Sequence, residues 1–224
     1  MLLVWNEAVN LTAIREPAAI AIRHVVDSLT GLAVLHRRGV DRFIDLGSGG
    51  GFPGITLAAA LPADRALLID SIGKKVRFLA TVIDAIGLGD HAAAEAVRSE
   101  SLAASRADRG RWPAVTARAV GPLAELAELA LPLLCPGGVL VAWKRVGVDD
   151  AADRRELEAA RRALDAIDRE ARIDVVVAVD AMTARDAPGL GELVDHRLIV
   201  VERGPGSIDP TWPREPATRR RSPC

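Results

Sequence analysis

The chain has 224 residues, a formal net charge of −1 and an apolar fraction of 50 %. This length fits one α/β domain with short appendages, and the near-neutral charge argues against a protein that coats nucleic acid through charge alone. No run approaches the roughly 20 consecutive apolar residues of a membrane span. The two cysteines lack metal-ligand spacing and form no disulfide framework. We therefore expect a cytoplasmic protein without a membrane segment or a bound metal.

Apolar residues recur at helical or strand spacing along most of the chain. Residues 16–37 carry a helical pattern that stops before Gly39, and a short strand at 43–44 then leads into a glycine cluster. Residues 135–138 are predicted to form a turn. The other predicted strands are 66–69, 93–97, 114–118, 139–143, 173–179 and 196–201, and the other predicted helices are 55–61, 74–86, 123–133 and 150–167.

Strands that alternate with helices of about 10 to 15 residues indicate βαβ units and a parallel sheet. The last two strands lack a full helix between them, so we expect one of them to be antiparallel, at or near the sheet edge. The predicted fold is a Rossmann-like α/β domain (41–203) with a seven-stranded, mostly parallel sheet, flanked by helices on both faces. A short N-terminal helical extension (1–40) precedes this domain.

A tail rich in proline and arginine (204–224) follows the domain, and three consecutive arginines lie near its end. A charge cluster of this kind is ordinarily solvated surface. Contact with RNA is the alternative for the tail.

A glycine-rich segment, 45–51, follows the first strand of the domain and reads DLGSGGG. Its glycines allow a sharp turn with positive φ, and they let a ligand approach the main chain without meeting a Cβ atom. Asp70 ends the next strand, at the edge where open α/β folds bind ligands, and its carboxylate suits the two hydroxyls of a ribose. The alternative for Asp70 is to cap the following helix, which Ser71 could do equally well.

The same loop also satisfies the G-x-G-x-x-G pattern of dinucleotide-binding folds. Two features favour S-adenosylmethionine instead. Asp45 would repel a pyrophosphate but suits the cationic ammonium of a methionyl group. Pro53 removes an N–H group that a phosphate would need from the helix start. The loop therefore favours S-adenosylmethionine, and a nicotinamide-dependent oxidoreductase is the alternative.

Further motifs occur in a fixed order along the chain: Trp5-Asn6, NLT at 10–12, RHVVDS at 23–28, FIDLGSGGGFPGI at 43–55, DSIGKKVRFL at 70–79 and ARA at 117–119. With these motifs the chain resembles the RsmG (GidB) family from Trp5 to about Arg214. The resemblance implies a class I S-adenosylmethionine-dependent methyltransferase that makes 7-methylguanosine in 16S ribosomal RNA. It also implies that the partner is this RNA or a precursor of the small subunit. The family usually has a longer helical segment before Trp5, and it commonly has serine where Ala117 stands here.

The candidate cofactor-binding residues combine the loop argument with the resemblance. The resemblance implies that Phe52 contacts the cofactor, that Ser99 and Glu100 flank the adenine, and that Arg118 lies beside the cofactor. The full candidate set is Asp45, Gly47, Ser48, Gly49, Gly51, Phe52, Asp70, Ser99, Glu100 and Arg118.

Guanine N7 is already a lone-pair nucleophile, so methyl transfer to it needs no general base. Catalysis would then depend on holding N7 in line with the sulfonium methyl group in a dry pocket. The candidates for positioning the substrate are Arg118 and Lys144 at strand ends, with His24 and Asp27, which share one helix face and which the resemblance brings to the site. Exposed surface roles are the alternatives for the two cations, and a structural role is the alternative for His24.

Two other functions fit the same residues. One is a methyltransferase that acts on a small molecule, and the other is an RNA-binding module without catalytic activity. We expect a monomer in each case.

Overall fold

The computed structural model describes residues 1–61, 64–145, 150–187 and 189–221. The strands are β1 Arg42–Leu46, β2 Arg65–Asp70, β3 Ala92–Ala96, β4 Trp112–Arg118, β5 Leu134–Arg145, β6 Arg172–Val177 and β7 His196–Glu202. The helices are α1 Leu2–Val9, α2 Pro17–Ile20, α3 Asp27–Leu29, α4 Leu32–Arg37, α5 Gly54–Ala60, α6 Gly73–Ala85, α7 Ser99–Ala104, α8 Leu123–Ala130, α9 Asp150–Ile167, α10 Ala181–Asp186 and α11 Pro216–Arg221. A π-helical segment, Ala21–Val26, joins α2 to α3, and a 3-10 helix, Leu190–Leu193, precedes β7.

One seven-stranded sheet has the order β3-β2-β1-β4-β5-β7-β6. Strand β7 is antiparallel to both of its neighbours, and the other pairs are parallel. The seven predicted strands and the antiparallel strand near the edge are confirmed. Because β7 runs backwards, its first residue, His196, pairs with Arg145 at the end of β5. The start of β7 therefore lies at the same edge as the carboxyl ends of the parallel strands.

Strand residues alternate between two apolar cores, one on each face of the sheet. Ile44 and Leu46 pack with α8 and α9, whereas Phe43 packs with α4, α5 and α6. Both faces of the central strands are buried, as is usual for parallel sheets whose crossover helices cover them, whereas the edge strands β3 and β6 are largely exposed. This alternation decides on which side of the sheet each functional side chain of a strand lies.

The predicted turn at 135–138 belongs to β5, which has 12 residues. The start of this strand is irregular, because its register with β4 shifts between Trp112 and Ala114. Gly137 there has φ 74°, a conformation that suits glycine. The turn-forming residues thus produced an irregularity within a strand rather than a strand boundary.

The C-terminal segment packs on the domain through residues between 204 and 219 instead of forming a solvated tail. Trp212 contacts the core on the α8 face, and the guanidinium of Arg214 lies 4.9 Å from its ring centroid. The guanidinium of Arg109 donates to three main-chain carbonyls between residues 208 and 212. Composition predicted solvated surface here because these partners lie about a hundred positions away in the sequence.

The predicted helix 16–37 is helical but interrupted by the π-helical segment Ala21–Val26. By length and composition, the stretch Pro17–Arg37 would suffice to cross a membrane. A helix packed on the core of a soluble protein meets the same criterion. Here the indole N–H of Trp143 in β5 donates to the main-chain oxygen of Asp27 at 2.8 Å, so the stretch is bonded to the sheet.

Close approach of this stretch to the sheet requires a glycine at position 31. A Cβ atom there would lie 2.4 Å from Cζ2 of Trp143, whose buried ring is rigid. We expect Gly31→Ala to lower the free energy of unfolding by about 1 to 3 kcal/mol, the usual cost of overpacking. Chemical denaturation measures this change.

The matched control is Gly73→Ala in the first turn of α6, where a Cβ atom would have no neighbour within 4 Å. This variant should stay within about 0.5 kcal/mol of the parent. Equal stability of the two variants would contradict the close contact between Gly31 and Trp143.

Candidate cofactor and substrate site

The glycine loop after β1 adopts the conformation that its sequence predicts. Gly47, Gly49 and Gly51 have φ values of 63°, 52° and 89°, which other residues rarely adopt. A Cβ atom at Gly47 would lie 2.8 Å from Cγ2 of Val120, so the loop passes close to the end of β4. The main-chain N–H of Ser48 donates to a β2 carbonyl at 2.9 Å, which fastens the loop to the next strand.

Asp70 lies at the end of β2, beside the loop. Its Oδ2 accepts from the N–H of Gly49 at 3.1 Å, and its Oδ1 accepts from the N–H of Ile72 at 2.9 Å. Lys75 Nζ lies 3.8 Å from Oδ2. The N-cap residue of α6 is Ile72, which makes no side-chain hydrogen bond to the helix. The carboxylate is thus held in place against the loop rather than serving as a helix cap.

A cleft of about 360 Å³ opens beside the loop, at the carboxyl ends of β2, β3 and β4. This volume lies within the range of ligand pockets, which is roughly 300 to 1,000 Å³. Four of the predicted cofactor residues line the cleft: Gly47, Asp70, Ser99 and Glu100. Ser99 is tied down by a hydrogen bond from its Oγ to the carbonyl of Leu129 at 2.8 Å.

Asp45 lies beneath the loop and is fully buried. Its Oδ1 accepts from Thr116 Oγ1 at 2.6 Å, and its Oδ2 accepts from the N–H of Gly54 at 3.2 Å. Burial raises the pKa of the carboxyl to about 6, although the hydrogen bond from Thr116 opposes this shift. Like Phe43, Asp45 faces α5 because side chains alternate along β1. The carboxyl group thus joins α5 to β1 and β4. A contact between Asp45 and the ammonium group of the cofactor stays a prediction.

Three of the four predicted substrate residues meet at the end of β4. Arg118 Nη1 donates to Asp27 Oδ2 at 3.0 Å, and Nη2 lies 3.0 Å from Nδ1 of His24. The ring of His24 stacks on Phe52 of the loop, with centroids 4.8 Å apart and an interplanar angle of 19°. The guanidinium of Arg118 lies 5.6 Å from the centroid of the same Phe52 ring. We call these four residues, Asp27, His24, Phe52 and Arg118, the Arg118 cluster.

The hydrogen bonds of His24 define its protonation state. Because a guanidinium can only donate, Nδ1 of His24 accepts from Arg118, and the ring proton lies on Nε2. This N–H donates to Thr12 Oγ1, 2.7 Å away. Burial and, to a smaller extent, the charge of Arg118 lower the pKa of His24 below 6.5. The imidazole is therefore neutral at physiological pH.

The sequence predictions gave no role to His196, which contacts the Arg118 cluster through Asp27. Its Nδ1 lies 2.7 Å from Oδ1 of Asp27. The predicted antiparallel strand was the signal that could have found it, because the first residue of such a strand lies at the functional edge. Thr12 was part of a family motif, but nothing in its spacing indicated the contact with His24.

Lys144 lies apart from the other predicted substrate residues. Its Nζ donates to the carbonyl of Gly121 at 2.8 Å and to Glu156 Oε1 at 2.6 Å. The neighbouring Trp143 packs on the face that carries α4 to α6, so alternation turns Lys144 toward α9 on the other face. Contact of Lys144 with an RNA phosphate stays a prediction, and it would compete with the bond to Glu156. Within the described ranges, no group of three or more His, Cys, Asp or Glu side chains could hold a metal ion.

Comparison with known proteins places the chain among ribosomal RNA methyltransferases. Residues 1–172 match the family model GidB, described as rRNA small subunit methyltransferase G. The chain is 35 % identical over 222 residues to ribosomal RNA small subunit methyltransferase G of Desulfitobacterium hafniense, a match that covers 99 % of this chain and 84 % of the relative. It is 32 % identical over 223 residues to the protein of the same name in Bacillus velezensis, covering 100 % of this chain and 86 % of the relative.

Solved methyltransferase structures share the fold. An O-methyltransferase from Bacillus cereus in complex with SAH superposes with a TM-score of 0.60 at 18 % identity, covering 90 % of this chain and 89 % of the other. Geranyl diphosphate methyltransferase in complex with SAM superposes with a TM-score of 0.52 at 13 % identity, covering 79 % of this chain and 85 % of the other. These structures confirm the Rossmann-like class I fold. The match to a methyltransferase family supports S-adenosylmethionine as the cofactor and contradicts the nicotinamide alternative. The family match and the relatives together establish that the chain belongs to the rRNA small subunit methyltransferase G (GidB) family.

Proposed function

We propose that this protein methylates N7 of a guanine in 16S ribosomal RNA, as a cytoplasmic monomer that acts on the RNA or on a precursor of the small subunit. The observation that carries the proposal is the Arg118 cluster beside the cleft. Every acid–base side chain of this cluster is already bonded to a neighbour. Such an arrangement suits a nucleophile that carries its own lone pair and needs orientation rather than deprotonation.

The residues of the cleft fit S-adenosylmethionine, which supplies an electrophilic methyl group on a sulfonium. Asp70 is a nearly buried carboxylate that lines the cleft, and such a group can accept from the two hydroxyls of a ribose. Gly47 lines the cleft with a φ of 63°, a conformation that suits glycine and lets the loop present its main chain to the ligand there. Glu100, at the β3 side of the cleft, offers an acceptor for the adenine.

A general base is absent from the proposed mechanism because the candidate groups are engaged. The two nitrogens of His24 bond to Arg118 and Thr12, and the two oxygens of Asp27 bond to Arg118 and His196. These bonds hold Arg118 and Phe52 in fixed positions. Arg118 can then donate to guanine O6, which lies on the same edge of the base as N7. Binding the base by this edge would orient the N7 lone pair toward the methyl group.

Three cations at the start of α6 support an RNA partner. Lys74 and Arg77 are exposed, and Lys75 is half-buried at the cleft. Positive charge at a helix N-terminus is unfavourable, because the helix dipole is positive there. RNA phosphates would offset this cost and hold the substrate beside the cleft.

The activity can be tested on small ribosomal subunits that lack the modification. We expect radiolabel from S-adenosylmethionine to enter 16S ribosomal RNA, and borohydride followed by aniline to cleave the chain at the modified nucleotide, a reaction diagnostic of 7-methylguanosine. Labelled RNA that resists this cleavage would show methylation at another atom. Label that entered only small molecules would contradict the RNA substrate.

Replacement of Asp70 by asparagine should weaken binding of S-adenosylhomocysteine roughly tenfold or more, because charge-assisted hydrogen bonds to the ribose are lost. Isothermal titration calorimetry measures this affinity. Asp64→Asn is the matched control, since Asp64 is exposed and precedes β2 at the opposite edge of the sheet. Unchanged affinity in the Asp70 variant would contradict the ribose contact.

The lowered pKa of His24 predicts a fall of kcat/KM on the acid side of its pH profile. The pKa is lowered in the folded protein, so the bonds of neutral His24 persist above pH 6.5 and are lost as pH falls through the folded pKa. A proton on Nδ1 would face Arg118, so kcat/KM should fall in this range. His24→Asn keeps an acceptor for Arg118 without a titrating group. This variant should therefore lack that fall, and a fall that persisted would assign it to another group.

A further inference from the structure

The C-terminal segment reaches the cofactor cleft, although it lies beyond residues 1–172 that match the family model. Arg214 fastens the segment to α8. Its main-chain N–H and its Nη2 donate to the carboxylate of Glu128, at 2.7 Å and 2.6 Å. Glu128 is 1 % exposed, so this contact lies inside the protein. The segment is thus fixed before it enters α11.

Arg219 of α11 continues from this anchor to the cleft, where it lines the wall with Asp70 and Glu100. Its Nη1 donates to the carbonyl of Arg214 at 2.7 Å, and its Nη2 donates to Oε1 of Glu100. Its Nε lies 3.5 Å from Oε1 of Glu125. The side chain of Arg219 is 9 % exposed. One buried cation therefore stands between two carboxylates of the cleft.

The strand order indicates which part of the cofactor lies at Glu100. Strand β3 neighbours β2 on the side away from β1 and the glycine loop. With the ribose at Asp70 and the methionyl part at the loop, the base must extend toward the end of β3, where Glu100 begins α7 with Ser99. This step depends on the proposed function, because it requires S-adenosylmethionine in the cleft.

We propose that Arg219 is a positioning residue for the cofactor base, which holds Glu100 so that its carboxylate accepts from the 6-amino group of adenine. The single charge of Arg219 offsets one of the two carboxylates that it contacts, which leaves one negative charge to accept from the amino group. Without Arg219, Glu100 and Glu125 would repel one another, and the Glu100 side chain would lose the bond that fixes its rotamer. The C-terminal segment thereby contributes to recognition of the adenine.

The test compares two ligands that differ at position 6 of the base. S-Adenosylhomocysteine carries the amino group, whereas its purine-riboside analogue carries only hydrogen there and has no donor on that edge of the base. Calorimetric titration should show that Arg219→Gln weakens binding of S-adenosylhomocysteine roughly five- to tenfold and leaves binding of the purine-riboside analogue unchanged. Arg106→Gln, which changes an exposed arginine after α7, should bind both ligands like the parent.

A double-mutant cycle with Glu100→Gln separates a positioning role from a structural one. If Arg219 acts through Glu100, then Arg219→Gln should cost no further affinity for S-adenosylhomocysteine in the Glu100→Gln background. The cycle remains informative even if Arg219→Gln and the double variant have lowered melting temperatures, because it measures only the additional loss of affinity for S-adenosylhomocysteine.

Four outcomes would overturn the inference. A further loss of affinity when Arg219→Gln is added to Glu100→Gln would show that Arg219 does not act through Glu100. Equal weakening of both ligands would assign Arg219 to the general integrity of the cleft. Tighter binding of S-adenosylhomocysteine by Arg219→Gln would show that Arg219 competes with the cofactor for Glu100. A parent chain that bound neither ligand would overturn the proposed function, and this inference with it.

Discussion

The buried carboxylate of Asp27 is the interaction on which the arrangement of the site depends. Its two oxygens bind Arg118 of β4 and His196 of β7, and its main-chain oxygen binds the indole of Trp143 in β5. One residue thus joins the N-terminal helical stretch to three strands. Removing one partner of a buried ion pair typically costs about 3 to 5 kcal/mol, because the remaining charge is left without compensation. The same bonds that orient Arg118 therefore also hold the helical stretch on the sheet.

The sequence predicted most of the fold because the signals that define it are local. Apolar runs such as those of β1 and β2, each followed by a polar or glycine-rich turn and a helix, determine a parallel sheet without knowledge of any contact. The glycine loop and Asp70 could be placed for the same reason, since a carboxylate that ends a parallel strand lies at the ligand-binding edge whatever the details of packing. The turn residues at 135–138 were misleading because β5 tolerates an irregular start.

Side-chain direction and distant partners were the features that the sequence could not supply. Lys144 follows a strand at the correct edge, but the strand alternation that turns it toward Glu156 depends on which face α9 covers. His196 could be assigned to this edge only once the expected antiparallel strand was known to be β7. Arg214 and Arg219 belong to a segment that resembles a solvated cluster in composition, and their acidic partners lie on α8 and α7, far away in the sequence.

The contact between Gly31 and Trp143 constrains how sequences of this kind can change over evolutionary time. The ring of Trp143 occupies the place of a side chain at position 31, and its indole N–H holds Asp27. A larger residue at 31 would require a smaller one at 143, and that replacement would remove the bond to Asp27. An exchange of the pair must therefore pass through an intermediate with either an overpacked helix or a loosened site. The two positions should accordingly vary together or not at all.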